Sequence, residues 1–165
     1  MATQLTKPFI LGIDPGISGA LALIDHSNNN VYKVWDMPLT SAKSTSGKKS
    51  IDPIILANDL TVYAPDIALA VVEDVHAMPG NGSVSMFNFG VSKGLILGMI
   101  YMSKCPAFTV PPAVWKGVFG LSSNKDSSRE MASQLYSESA HQWSRKKDDG
   151  RAEAVLLAHF GKRFL

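Results

Sequence analysis

Phe9-Ile10-Leu11-Gly12-Ile13-Asp14-Pro15-Gly16, followed by Ile17-Ser18-Gly19-Ala20-Leu21-Ala22-Leu23-Ile24-Asp25, decides the fold. The apolar run over residues 8–13 meets Asp14 and a Pro-Gly pair, which reads as a buried strand closed by a turn. Residues 19–25 read as a second strand. A polar turn at 26–30 leads to a third strand at 31–37. Both connections are short, so the three form an antiparallel meander.

Downstream the pattern changes. Residues 40–50 are rich in Ser, Thr, Gly and Lys, without an acid, and read as a basic loop. Asp52-Pro53 is an N-cap and first-turn pair that opens a helix to about residue 62. Residues 68–72 are continuously apolar and end at Glu73, the pattern of a buried parallel strand. The helix before it makes a right-handed crossover the expectation. Residues 76–83 read as a loop. Residues 84–102 read as a long helix with Gly90, Gly94 and Gly98 four apart on one face. That face either packs on the sheet or meets another subunit. Asn88, Ser92 and Lys93 argue against a membrane span. Residues 107–110 read as a short strand, 112–116 as a helical turn, and 125–139 and 149–164 as helices. The order predicts one α/β domain over residues 1–165, with a mixed five-stranded sheet and flanking helices.

The 165 residues are 45% hydrophobic and 18% charged, which suits one globular domain and excludes disorder, collagen and disulfide scaffolds. The net charge of +2 does not by itself mark a nucleic-acid binder, because binding fields are local. The single cysteine, Cys105, reads as a small core residue. The apolar run near the N-terminus spans about five residues, against ~7–15 for a secretory h-region and ~20 for a membrane span. A cytoplasmic protein with no membrane partner is the expectation.

The chemistry lies in the acids. If the first and fourth strands are parallel neighbours, Asp14 and Glu73 share the carboxyl edge of the sheet, where α/β folds place their sites. Two carboxylates at the lip of a core repel each other and require compensation. Asp149 and Glu153 are four apart on one helical face, with Asp149 near the favourable helix N-terminus. Asp148 is turned off that face and reads as an N-cap or reserve ligand. Carboxylates without a paired arginine call for divalent cations, and oxygen donors suit Mg²⁺ or Mn²⁺. Two such ions can activate water and stabilise the leaving oxygen of a phosphodiester.

The segments GIDPGISGALALID (residues 12–25), VVEDVHAMPGNGS (71–83) and KKDDGRAEAVLLA (146–158) resemble the RuvC family of Holliday junction resolvases, especially its phage-type members. The resemblance runs over roughly residues 10–158, in order. It implies a ribonuclease H-like fold and a Mg-dependent endodeoxyribonuclease with two ions per site. Its partners would be branched DNA, a four-way junction cut by paired nicks, and a second copy in a homodimer. The setting would be recombination and repair in a bacterial or phage-infected cell. Carried over by position, Asp14, Glu73 and Glu153 match three of the family's acids. The fourth normally stands three residues before the last, where this chain has Gly150, and Asp149 is the nearest substitute. Lys116 and Lys125 match the family's lysines beside the site and would hold the scissile phosphate. An aromatic residue usually follows the fourth-strand acid. Here His76 occupies that place, with Met78, Met86 and Phe87 nearby, and Phe87 either wedges into DNA or fills the core.

Lys43, Lys48 and Lys49, with Arg145, Lys146, Lys147 and Arg151, could line phosphate tracks beside the acids, joined by Arg129, or could be solvated surface. Two other readings compete. The Gly12–Gly16 turn also resembles the first phosphate turn of actin-like ATP-binding folds, but no second phosphate turn appears. A non-catalytic branched-DNA-binding module would gain nothing from carboxylates facing phosphates.

Overall fold

The computed structural model describes residues 7–41, 49–75, 82–122, 124 and 126–165. Strands β1 (Phe9–Ile13), β2 (Ala20–Asp25), β3 (Asn30–Asp36), β4 (Ile67–Glu73) and β5 (Ala107–Val110) form one sheet in the order β3-β2-β1-β4-β5. The β1–β2 and β2–β3 pairs are antiparallel, and the β1–β4 and β4–β5 pairs are parallel. The expected meander and the parallel fourth strand are both present.

Among the described residues five α-helices flank the sheet: α1 (Pro53–Tyr63), α2 (Ser83–Met102), α3 (Pro112–Val118), α4 (Asp126–Leu135) and α5 (Asp149–Gly161). The Asp52 carboxylate caps α1, accepting from the backbone N–H groups of Ile54 at 3.0 Å and Ile55 at 3.1 Å. Helix α4 stops short of the expected residue 139. There the chain tightens into 3₁₀ turns over Ser137–Trp143, which bury Trp143 and let its indole N–H donate to Ser133 Oγ at 3.0 Å. Helix α5 likewise gives way to a 3₁₀ turn at Lys162–Phe164.

Alternation along β1 sorts the core into two layers. Ile10 faces the layer that holds Val155, Leu156 and Leu157 of α5 together with Trp115 and Trp143. Leu11 and Ile13 face the other layer, with Leu56 and Leu60 of α1 and Ile96 and Ile100 of α2. Cys105 is buried in that second layer, as expected.

Helix α5 lies almost flat on the sheet. A Cβ on Gly12 would stand 2.0 Å from the Ala154 carbonyl oxygen and 2.5 Å from the Ala158 nitrogen. Backbone therefore meets backbone, and Ala152, Ala154 and Ala158 are fully buried. Helix α2 is the opposite case. Only Ile96 and Ile100 are buried along its 20 residues, and Lys93 is ion-paired with Asp74. Open space lies beyond Gly90, Gly94 and Gly98. The glycine face thus points away from the sheet, which overturns the sheet-packing alternative. By length and composition α2 could cross a membrane, but its buried isoleucines and ion pair tie it to the sheet.

Gly12→Ala is expected to destabilise the fold by about 3 kcal/mol, since the obstructing atoms are helix backbone and cannot rotate aside. A fall in the urea midpoint would register this; an unchanged midpoint would refute the close-approach argument.

Candidate active site

The parallel register pairs Ile13 with Val72, so the residues that follow, Asp14 and Glu73, stand side by side at the carboxyl edge of the sheet. Asp14 is held by the turn it starts: its Oδ1 accepts from Gly16 N at 3.3 Å. Its carboxyl pKa is raised to about 6, first by burial and then by the charge of Glu153. Glu73 is only 5% exposed. Its pKa is raised to about 7 by burial, then by Asp14 and Glu153; a hydrogen bond from Trp115 and the charge of Lys116 oppose the rise. Trp115 Nε1 donates to Glu73 Oε1 at 3.1 Å.

Glu153 enters from α5. Its Oε1 accepts from Lys116 Nζ at 2.7 Å and from Ser128 Oγ at 3.1 Å. Three carboxylates from three distant segments thus act on one another electrostatically, and Lys116 supplies an opposing positive charge. Asp14, Glu73, Glu153 and Lys116 are the expected site residues that the fold brings together.

Asp149 is not brought to them. Its Oδ1 lies 3.0 Å from Arg129 Nε. Position 150 faces the first acid, for a Cβ on Gly150 would stand 3.1 Å from Asp14 Oδ2 and 2.7 Å from the Ser18 carbonyl oxygen. At ~100° per residue, Glu153 and Asp149 lie about 60° and 100° round from that direction on the same side, but Asp149 stands a full turn nearer the helix start, beside Arg129. The crowding also means that this backbone has no room for an acid at position 150. Asp148 is used elsewhere: both of its carboxylate oxygens accept from the Arg145 guanidinium, at 2.9 Å each, and its pKa is lowered by that bond.

Two of the expected DNA contacts are ion-paired within the fold. Arg129 is ion-paired with Asp126 at 2.5 Å as well as with Asp149, and it donates to the Ser144 carbonyl at 3.1 Å. Arg151 grips Asp36 through two bonds, at 2.6 and 2.7 Å. Both arginines brace the fold. Lys49, Lys146 and Lys147 are exposed, and Phe87 is 72% exposed, so it does not fill the core. Lys43, Lys48, His76, Met78 and Lys125 lie outside the described residues.

Sequence reasoning missed two residues that touch the acids, Trp115 and Ser128. Trp115 carried a faint signal, a large apolar residue beside Lys116. Ser128, in Asp126-Ser127-Ser128-Arg129, carried none.

The donor set suits a hard cation. Asp14 and Glu73 resist ionisation because burial and neighbouring negative charge disfavour it, and an added positive charge relieves both effects. Among the described residues no three His, Cys, Asp or Glu side chains stand together as a ready metal cluster, and Glu153 is bonded to Lys116 and Ser128.

No protein-family model matches the sequence, and no curated protein matches it. Solved structures do. The chain is similar to Thermus thermophilus RuvC, with 13% identity, a TM-score of 0.62, and coverage of 94% of this chain and 96% of that one. The T. thermophilus RuvC solved in complex with a Holliday junction substrate gives 16%, 0.59, and 94% and 95%. The yeast mitochondrial Holliday junction resolvase Ydc2 gives 17%, 0.55, and 96% and 79%. The fold is therefore ribonuclease H-like, as the sequence resemblance implied.

The raised acids set a pH dependence. Because protonation is easier in the folded state, the stability it confers is complete below the ordinary values of 3.8 and 4.5 and is lost as pH rises through about 6 for Asp14 and about 7 for Glu73. In chelator, the melting temperature should fall between pH 5 and pH 8. Glu73→Gln should flatten that fall and stabilise the protein at pH 8 by about 1–2 kcal/mol. Identical melting profiles for the two proteins would sink this account.

Proposed function

We propose that the protein is a metal-dependent, structure-selective DNA endonuclease that resolves four-way junctions, a member of the RuvC-like resolvases. One observation carries the reading: Asp14, Glu73 and Glu153 converge with Lys116 at the carboxyl edge of a ribonuclease H-like sheet. The likeness to resolvases over nearly the whole chain supports it.

Asp14, Glu73 and Glu153 are the residues that would hold Mg²⁺ or Mn²⁺. Bound there, the metal would supply Lewis acidity toward the phosphodiester and an activated water, in the manner of two-ion nucleases. The chain's own groups do the rest. Burial of Glu73 keeps bulk water from its carboxylate, and Trp115 fixes one of its oxygens. Lys116, one third exposed, can turn from Glu153 toward the scissile phosphate and offset the charge that builds on it. The exposed Lys49, Lys146 and Lys147 would hold the DNA arms by their phosphates, with Lys43, Lys48 and Lys125 as further candidates from the sequence. Phe87, at the exposed start of α2, would stack near the junction centre, with His76 as the sequence alternative.

Paired nicks need two sites, which a two-fold dimer supplies. Helix α2 offers the surface. Val91, Gly94, Gly98 and Tyr101 recur at alternating steps of three and four, and all are exposed. That is the seam of a helix pair, with the glycines allowing close approach.

A panel of four-way, three-way, flap and linear DNAs in Mg²⁺ tests the reading. The wild type should cut the four-way junction preferentially, and Asp14→Asn or Glu73→Gln should lower cutting by at least ~100-fold with junction binding retained. Intact cutting by Asp14→Asn would refute the site. Binding without any cutting by the wild type, in Mg²⁺ or Mn²⁺, would favour the non-catalytic module.

Gly94→Leu separates fold from assembly. The site is open in one copy, so the helix should gain up to ~1 kcal/mol of stability. Sedimentation should nevertheless show the dimer weakened by at least ~tenfold. A Gly94→Leu dimer as tight as the wild type would rule out this seam.

A further inference from the structure

We infer that Trp115 is a positioning residue for the active site, holding the Glu73 carboxylate and underlying Lys116. The inference rests on the nuclease reading. Trp115 is fully buried on α3, yet it touches two members of the site. Its indole N–H donates to Glu73 Oε1 at 3.1 Å, and the Lys116 ammonium lies 5.1 Å from its ring centroid. A buried indole N–H with a carboxylate partner forms a charge-assisted bond, shorter-ranged and more directional than packing. One oxygen of Glu73 is thereby committed, which fixes the rotation of the other.

The chain path shows why the contact is rigid. Val110, the last residue of β5, pairs with Glu73 in the parallel register. Pro111 and Pro112 follow at once, and α3 begins at Pro112. Trp115 N donates to the Pro111 carbonyl at 3.4 Å, and Phe119 packs edge-on against the indole with centroids 6.4 Å apart. Strand pairing therefore fixes the Glu73 backbone, and the same segment five residues later fixes its carboxylate. The proline pair limits how far the two can drift apart, because each ring locks φ. Consecutive residues of α3 then serve different acids: Trp115 serves Glu73, and Lys116 serves Glu153.

Core filling alone makes a different prediction. Phenylalanine keeps a ring in the same place but has no donor. Groups that orient a metal ligand typically carry 10–100-fold in metal affinity. Trp115→Phe should therefore weaken Mn²⁺ binding, read as free Mn²⁺ by electron paramagnetic resonance, by about tenfold while circular dichroism stays native. Cleavage kcat should fall with KM for the junction unchanged. In a Glu73→Gln background the same substitution should have no further effect on Mn²⁺ binding, since the coupling partner is gone.

A measurement on the unmutated fold guards against a variant that does not fold. In ¹⁵N-labelled protein the Trp115 indole N–H resonance should shift on Mg²⁺ addition, and that response should vanish in Glu73→Gln. If wild type binds Mn²⁺ while Trp115→Phe binds it equally and the indole resonance stays still, the inference is overturned and the nuclease reading stands. If wild type binds no Mn²⁺ and cuts no DNA, the nuclease reading falls and takes the inference with it.

Discussion

The backbone of α5 can reach β1 only because residue 12 has no side chain. With Ala154 O 2.0 Å and Ala158 N 2.5 Å from where a Cβ would stand, the helix lies in contact with the strand itself. Everything at the site follows from that height. Gly150 settles against the Ser18–Gly19 turn beside Asp14, and Glu153 is carried to the same edge one turn later. A helix standing off by the thickness of an alanine would move Glu153 out of range of Asp14 and Lys116. The close approach is thus a packing constraint with an electrostatic consequence.

That consequence is a concentration of negative charge in a poorly solvated place. Asp14 and Glu73 hold pKa values of about 6 and about 7 because burial and mutual repulsion disfavour their ionisation. Lys116 offsets part of this, and a divalent cation would offset more. The cationic side chains divide by chemistry. Arg145 and Arg151 form two-bond forks to Asp148 and Asp36, Arg129 is ion-paired with Asp149, and the Arg129 and Arg151 pairs tie α5 to α4 and to β3. The exposed lysines are left as flexible point charges, the form of positive charge suited to a phosphate track.

Much of this was legible in the sequence. The two apolar strands ending in Asp14 and Glu73 forced a shared edge once they were read as parallel, because strand direction alone sets which ends coincide. Asp52-Pro53 marked the start of α1 through local capping chemistry. The last helix could be read as lying on the sheet from its alanines. Asp149 was misjudged because a four-residue spacing places two side chains on one face without saying which part of that face meets the site. The ion pairs of Arg129 and Arg151 were not legible, because Asp126, Asp149 and Asp36 become their partners only after folding. Arg151 and Asp36 stand 115 residues apart.

The sequence by itself determined the order of the elements, the strand ends that carry the acids, and the absence of a side chain at position 12. These are properties of local pattern and of single residues, so no folding is needed to see them. The tertiary structure alone decided which acids meet, which way the glycine face of α2 points, and that a buried indole grips Glu73. Those depend on helix rotation and on contacts between distant segments. Asp149 and Glu153 lie only about 40° apart round α5, one turn apart along it, and the partners set beside them, Arg129 for one and Lys116 with Ser128 for the other, are what separate the ion pair from the cluster.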